Sequence, residues 1–251
     1  MKTFNSYHFK ELDSSNRAMN DYLKNNSLAE FSAFYCDYQT AGKGMSDNVW
    51  ESEDGANLLC SILLYPHKLA AENQFYISKL IALAVLYSLR DLAPEYSGFT
   101  IKWPNDIYAG EKKIAGILIE NSFMGNKIQY SICGIGLNLN QKVFSDRIPN
   151  PVSLFHLNAK EYNPNDVLTK IQSELCALSE KIKFKQYNEI DLQYHSNILK
   201  FNEVAEFEDN KGRFRAKIIG TNTYGFLIIQ KEDDSISEYE IKTIKMILPV
   251  K

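Results

Sequence analysis

The sequence predicts an α+β fold: a sheet flanked by helices, followed by a small C-terminal β-barrel of the SH3-like type. Three observations lead there. Apolar stretches of strand length occur at 34–38, 58–64, 99–102 and 114–119. Two longer segments, Glu72 to Leu92 and a second beginning near Pro164, carry apolar residues at three- and four-residue steps, the helical period. Beyond Lys200 the period changes to short runs with turn residues between them.

In order along the chain, Leu12-Asp13-Ser14-Ser15-Asn16 ends a strand, and its hydroxyls are placed to cap a helix over Arg17–Leu23. Phe34 to Tyr38 is strand-like and runs into Gly42-Lys43-Gly44, after which the chain turns and re-enters an apolar strand ending at Leu64. The helix over 72–92 ends before Pro94 and backs the sheet with Phe75, Leu80, Ile81, Ala84, Val85 and Leu92. Phe99 to Lys102 leads into Trp103-Pro104-Asn105-Asp106, where proline biases Trp103 to extended geometry and the chain turns on a rigid corner. Ile114 to Ile119 reads as a buried strand in which Gly116 admits another group close to the backbone. Pro149-Asn150-Pro151 connects to the helix that carries Val167, Leu168, Ile171, Leu175, Leu178 and Ile182. Glu203–Phe207, Gly212–Gly220, Tyr224–Gln230 and Ser237–Ile247 are the short terminal strands. Domains are accordingly expected over 1–200 and 201–251.

The chemistry concentrates in the middle of the chain. Lys112 and Lys113 stand where a strand begins, and successive strand residues point to opposite faces, so only one ammonium can look inward. An inward lysine among apolar walls needs an anion, such as a substrate phosphate or carboxylate. The alternative is an exposed pair on a hairpin turn. Asn105 and Asp106 are aimed by their corner or simply make an ordinary Asx turn. Gly42-Lys43-Gly44 can bring backbone amides and a cation to a ligand, although it lacks the spacing of a P-loop or dinucleotide fingerprint and equally suits a flexible turn.

Composition narrows the class. A chain of 251 residues with net charge −3 gives no broad electrostatic footprint for nucleic acid. Cys36, Cys60, Cys133 and Cys176 have neither metal nor redox spacing, which favours a reduced, cytoplasmic setting. His8, His67, His156 and His195 do not cluster. No apolar run is long enough to span a bilayer and no signal peptide opens the chain, so no membrane association is expected.

Taken in order, Leu12-Asp-Ser-Ser-Asn16, Gln39-x-Ala-Gly-Lys-Gly44 through Trp50, Gly55-x-Asn57-Leu, Lys102-Trp-Pro-Asn-Asp106, Lys113 with Gly116-Ile-Leu-x-Glu120, and Gly134-x-Gly-x-Asn138-x-Asn140 resemble the biotin protein ligases. The resemblance implies a mixed sheet of the class II synthetase-like, biotin–lipoate ligase type and an enzyme that uses ATP, with Mg²⁺, to activate biotin and attach it to a biotin carboxyl carrier protein. It assigns Ser14, Ser15, Asn16 and Gln39 to the biotin pocket and Lys43, Gly44 and Met45 to a loop folding over biotin and its adenylate. Trp50 would close that loop. Gly42, Lys43, Trp50, Asn105 and Asn138 would serve ATP and the adenylate. Lys113 would bridge the biotin carboxylate and the α-phosphate as a protonated clamp, and Asp106 would orient the carrier lysine or accept its proton. No protein metal ligands are implied.

The family's glycine loop is usually arginine-rich, whereas here it reads Lys43, Met45, Ser46, Asp47 and Asn48. Lysine keeps the charge but lacks the planar fork that grips a phosphate at two points, so leakage of activated biotin is expected. With the catalytic part starting near Met1, no DNA-binding segment is expected; a homodimer through a sheet edge remains open. A ligase for another acyl group such as lipoate, and a non-catalytic biotin- or adenylate-binding relative, are the alternatives.

Overall fold

In the computed structural model, which describes residues 3–45 and 48–248, the first part of the chain supplies β1 (Ser6–Leu12), α1 (Ser15–Leu23), β2 (Ala33–Gln39), β3 (Leu58–Leu64), α2 (Phe75–Leu92), β4 (Phe99–Lys102), β5 (Asp106–Ala109), β6 (Lys112–Met124) and β7 (Lys127–Leu137). These strands form one mixed sheet in the order β1-β2-β3-β7-β6-β5-β4. Only β1 and β2 run parallel; each of the other neighbouring pairs is antiparallel. Helices α3 (Leu154–Asn158), α4 (Pro164–Lys183) and α5 (Tyr187–Ser196) follow. The chain ends in a second, antiparallel sheet of β8 (Val204–Asp209), β9 (Gly212–Thr221), β10 (Leu227–Lys231), β11 (Ile236–Tyr239) and β12 (Ile244–Ile247), ordered β11-β10-β9-β8-β12. The α+β class with a mixed sheet and a small C-terminal β unit is thus as expected.

The two faces of the large sheet are used differently. Cys60, Ile62, Cys133, Ile135, Ala115 and Ile117 turn to one side, where they join α2 and α4 in the main core. Helix α2 is buried almost all round, from Phe75 to Leu89, rather than along the single stripe expected, because α4 and α5 cover the side the sheet does not. On the other side α1 is the one described helix that packs, through a small cluster of Met19, Leu28, Phe34, Leu63 and Ile132. That face is therefore open beyond the N-terminus of α1.

Three local differences from the expected elements have physical causes. The helix expected from Glu72 begins at Phe75, after a single 3₁₀ turn over Ala71–Asn73. The run Ser237–Ile247 is two strands, β11 and β12, on opposite edges of the small sheet; the chain turns between them at Lys242, whose φ is 75°. Helices α3 and α5 were not legible, α3 because it is one short turn with a capping box at Ser153 and α5 because its apolar residues are few. The free thiols Cys36, Cys60 and Cys133 are buried, and burial raises each of their pKa values, that of Cys36 to about 12. Among the described residues no helix is long and apolar enough to cross a membrane.

Candidate functional site

Strand register builds the floor of the site. Phe34, Ser61, Gly134 and Leu118 lie opposite one another across β2, β3, β7 and β6, and the next row of the same face is Cys36, Leu59, Gly136 and Gly116. Three glycines thus share the open face and leave a trough where side chains would otherwise stand. Two groups fill it. A Cβ at Gly134 would lie 2.6 Å from Asn16 Oδ1, and one at Gly116 would lie 2.8 Å from the Trp50 indole; a Cβ at Gly136 would overlap the same ring. The close approach expected at Gly116 is real, and the group admitted there is Trp50.

Lys113 reaches this face through a β-bulge. Strand register pairs Ile107 with Ala115 but Tyr108 with Lys113, so Ile114 is left without a partner on β5. Without the extra residue, alternation would send Lys113 to the core side with Ala115. The bulge turns it to the face of Asp106, Tyr108 and Gly116, while Lys112 is exposed. Lys113 Nζ stands 2.7 Å from Asp106 Oδ1 and 5.4 Å from the Trp50 ring centre, with the lysine side chain 29% and the aspartate 19% exposed. The unpaired Ile114 keeps its carbonyl for the Asn138 N–H, at 2.9 Å. Lys102, opposite Asp106 on β4, adds a second cation, with Nζ 3.3 Å from the Tyr108 hydroxyl. Burial holds Lys102 below the usual lysine range; Asp106 opposes that shift, while Lys113 and Lys245 add to it. Burial first, and Asp106 second, push the Tyr108 hydroxyl up to about 12.

The remaining residues are held by backbone contacts. Ser14 occupies the N-cap of α1, yet its hydroxyl makes no capping bond; Gln39 Oε1 accepts the Ser15 N–H instead, at 2.7 Å. Capping, the structural role open to these serines, is thus taken by a neighbour. The loop after β2 folds back on itself, with Trp50 N–H donating to Gly42 O at 3.0 Å and Gly44 N–H to Asn48 O at 2.7 Å. Ser46 and Asp47 of this loop lie outside the described residues. Trp103-Pro104-Asn105 forms the β4–β5 turn, with a cis Trp103–Pro104 bond, and Asn105 is pinned to β6 by its Nδ2 donating to Ile117 O at 2.8 Å.

Two cavities on this face bring the expected site residues together. The first is lined by Ser14, Ser15, Asn16 and Gln39, by Lys43, Gly44 and Met45 of the loop, and by Trp50, Asn105 and Lys113. The second is a cleft bordered by Trp50, Lys102, Asp106, Tyr108, Lys113 and Asn138, together with Phe144 and Arg147. Lys113 and Trp50 border both. Gly42 lines neither; it serves the base of the loop, where a Cβ would press to 2.9 Å from Trp50 O. Phe144 and Arg147 escaped the sequence reading because they lie in a stretch without motif or period. Ser61 escaped because it is one polar residue in an apolar strand. Among the described residues no group of three or more His, Cys, Asp or Glu side chains could hold a metal ion. Among the described residues the buried Trp50 Nε1 has no hydrogen-bond partner.

Comparison with known proteins agrees with this geometry. Residues 9–138 match the profile of the Biotin/lipoate A/B protein ligase family. The chain is 28% identical over 235 residues to a bifunctional ligase/repressor BirA of Bacillus spizizenii, covering 90% of this chain and 69% of the relative. Against the BirA of Bacillus subtilis the identity is 28%, with 84% of this chain and 65% of the relative covered, so the chain spans about two thirds of these curated relatives. Among solved structures, the biotin protein ligase of Aquifex aeolicus in complex with biotin and ATP superimposes with a TM-score of 0.79 at 27% identity, over 97% of this chain and 98% of that one. The profile match spans most of the large sheet and its open face, and the chain belongs to the Biotin/lipoate A/B protein ligase family.

Proposed function

We propose that the chain is an ATP-dependent biotin protein ligase, forming biotinyl-5′-AMP and passing biotin to a lysine of a biotin carboxyl carrier protein in the cytoplasm. The observation that carries this reading is the place of Lys113 on the border of both cavities. We assign the first cavity to biotin and the second to the nucleotide; the Aquifex aeolicus enzyme, similar over 97% of this chain, forms a complex with both biotin and ATP. Adenylation joins a carboxylate oxygen to the α-phosphorus while the bond to pyrophosphate breaks. Two anions must approach, and one ammonium between them lowers the cost of that approach most in the crowded transition state. In the second half the carrier amine attacks the acyl carbon and AMP leaves; we assign Asp106, 2.7 Å from Lys113, to take the amine's proton. A magnesium ion bound with the nucleotide would neutralise charge on the departing pyrophosphate.

Exchange of labelled pyrophosphate into ATP tests the reading. It is expected with biotin and absent with lipoate; exchange supported by lipoate alone would move the assignment to another acyl ligase.

Lys102 borders the nucleotide cleft and is assigned to the departing pyrophosphate. Its pKa lies below the usual lysine value, so it loses its proton earlier than a surface lysine as pH rises, and the cation is fully present only below that lowered pKa. KM for ATP should therefore climb on the alkaline side, and Lys102→Arg should shift or remove that limb. A pH profile of KM for ATP identical in both proteins would contradict the assignment.

The loop supplies Lys43 and Met45 to the biotin cavity and no arginine. Biotinylation of a non-cognate protein at high concentration should therefore be measurable, and should fall when Met45→Arg restores a planar cation to the loop. Undetectable promiscuous labelling would count against a leaky loop.

A further inference from the structure

Glu120 takes no part in the chemistry derived above, yet an unbroken chain of hydrogen bonds joins it to the wall of the first cavity. Its position on β6 puts it on the same face as Gly116 and Leu118. Glu120 Oε2 accepts from Asn16 Nδ2 at 2.8 Å, and the other Asn16 amide hydrogen is directed at the Leu118 carbonyl at 3.3 Å. The reversed amide is excluded on electrostatic grounds, because it would set the Asn16 oxygen against a carboxylate and a carbonyl. Asn16 Oδ1 is thereby turned to Ser61 Oγ, 2.6 Å away. Ser61 Oγ is in turn 2.7 Å from Ser15 Oγ. A hydroxyl has one hydrogen. Ser61 gives its hydrogen to Asn16, so the hydrogen between the two serines comes from Ser15. Ser15, which lines the cavity, keeps only lone pairs for a ligand.

We propose that Glu120 sets the hydrogen-bond polarity of this cavity, acting through Asn16 and Ser61 to make Ser15 Oγ an acceptor for a ring N–H of the substrate. Glu120 is thus a positioning residue for specificity. The proposal rests on the biotin reading above and sharpens it. Gln39 Oε1 is occupied by the Ser15 N–H, which leaves its amide Nε2 as a donor on the same wall. An acceptor beside a donor complements the N–H and C=O of a cyclic urea. The same pair gives nothing to a dithiolane ring, and leaving it unpaired on burial penalises that ligand.

A double-mutant cycle on Glu120 and Ser15 tests the relay, read as KM for biotin in pyrophosphate exchange with thermal unfolding alongside. Glu120→Lys replaces the acceptor facing Asn16 by a donor-only ammonium and reverses the chain. KM for biotin is expected to rise about tenfold, the scale of one lost or misdirected hydrogen bond. The loss should fall on KM more than on turnover. Ser15→Ala should raise KM similarly, and the pair together should be no worse than Ser15→Ala alone, because the relay has then lost its output. Additive effects, or an unchanged KM in Glu120→Lys, would overturn the proposal while leaving biotin activation intact. A merely structural Glu120 would lower unfolding temperature and turnover together in every background. A wild-type enzyme without biotin-dependent exchange would overturn the functional reading, and the relay's role with it.

Discussion

Lys113→Ala is expected to lower the rate of biotin-dependent pyrophosphate exchange by about 10³, with Lys113→Arg recovering a part of it. The magnitude follows from what is lost. Removal of one preorganised group that stabilises charge in an acyl- or phosphoryl-transfer transition state costs roughly 2.7–4 kcal/mol. As the proposed clamp Lys113 would serve two anions at once, since it borders both cavities. The variant also frees Asp106, whose buried Oδ1 has Lys113 Nζ at 2.7 Å. A carboxylate left without that cation repels the incoming phosphates, so biotin affinity should suffer less than ATP affinity. Single-turnover adenylation with separately titrated biotin and ATP checks both points. A loss below tenfold would mean that Lys113 is not the clamp.

The second large effect concerns stability. Asp191→Ala should destabilise the fold by about 3–5 kcal/mol, the cost of stranding a buried charge. Lys79 is 2% exposed, in the second turn of α2, and its ammonium pairs with Asp191 of α5 at 2.5 Å. Tyr76 donates to the same carboxylate at 2.9 Å. The surrounding rings of Phe75, Tyr76 and Tyr194 have centroids 4.7–5.6 Å from Nζ and cannot replace a carboxylate. Burial already pulls the Lys79 pKa down, against the carboxylate that holds it up. The double variant Lys79→Met/Asp191→Ala should regain most of the loss, because the charge leaves with its partner. Urea unfolding of the two variants measures the difference; equal destabilisation by both would show that packing, not stranded charge, sets the cost.

How far the sequence could be read depended on whether a signal was local. The Trp103-Pro104-Asn105 turn was legible because proline and its neighbours restrict their own backbone. The inward facing of one lysine from the pair at 112 and 113 was legible from strand alternation. Which lysine turned inward was decided by the bulge opposite Tyr108, a property of pairing with another strand. Gly116 announced a close approach, but only folding showed that Trp50, far upstream in sequence, is the group that approaches. Lys79 looked like one polar residue on a helix whose counter-ion lies 112 residues away. Ser61 was likewise silent inside Leu58–Leu64, since its meaning comes from Ser15 and Asn16 across the sheet face. Helix α5 offered few apolar positions because Ile190 and Tyr194 alone are buried in it.

The central claim is that one ammonium serves both the acid end of the vitamin and the nucleotide phosphorus. A crystal structure of the protein with biotinyl-5′-AMP tests it most directly. Lys113 Nζ should lie within hydrogen-bond reach of oxygens on both sides of the acyl–phosphate linkage, with the Trp50 ring displaced from Gly136 or stacked on the adenine. Lys113 still bound to Asp106 and remote from the linkage, with another cation in its place, would contradict the account.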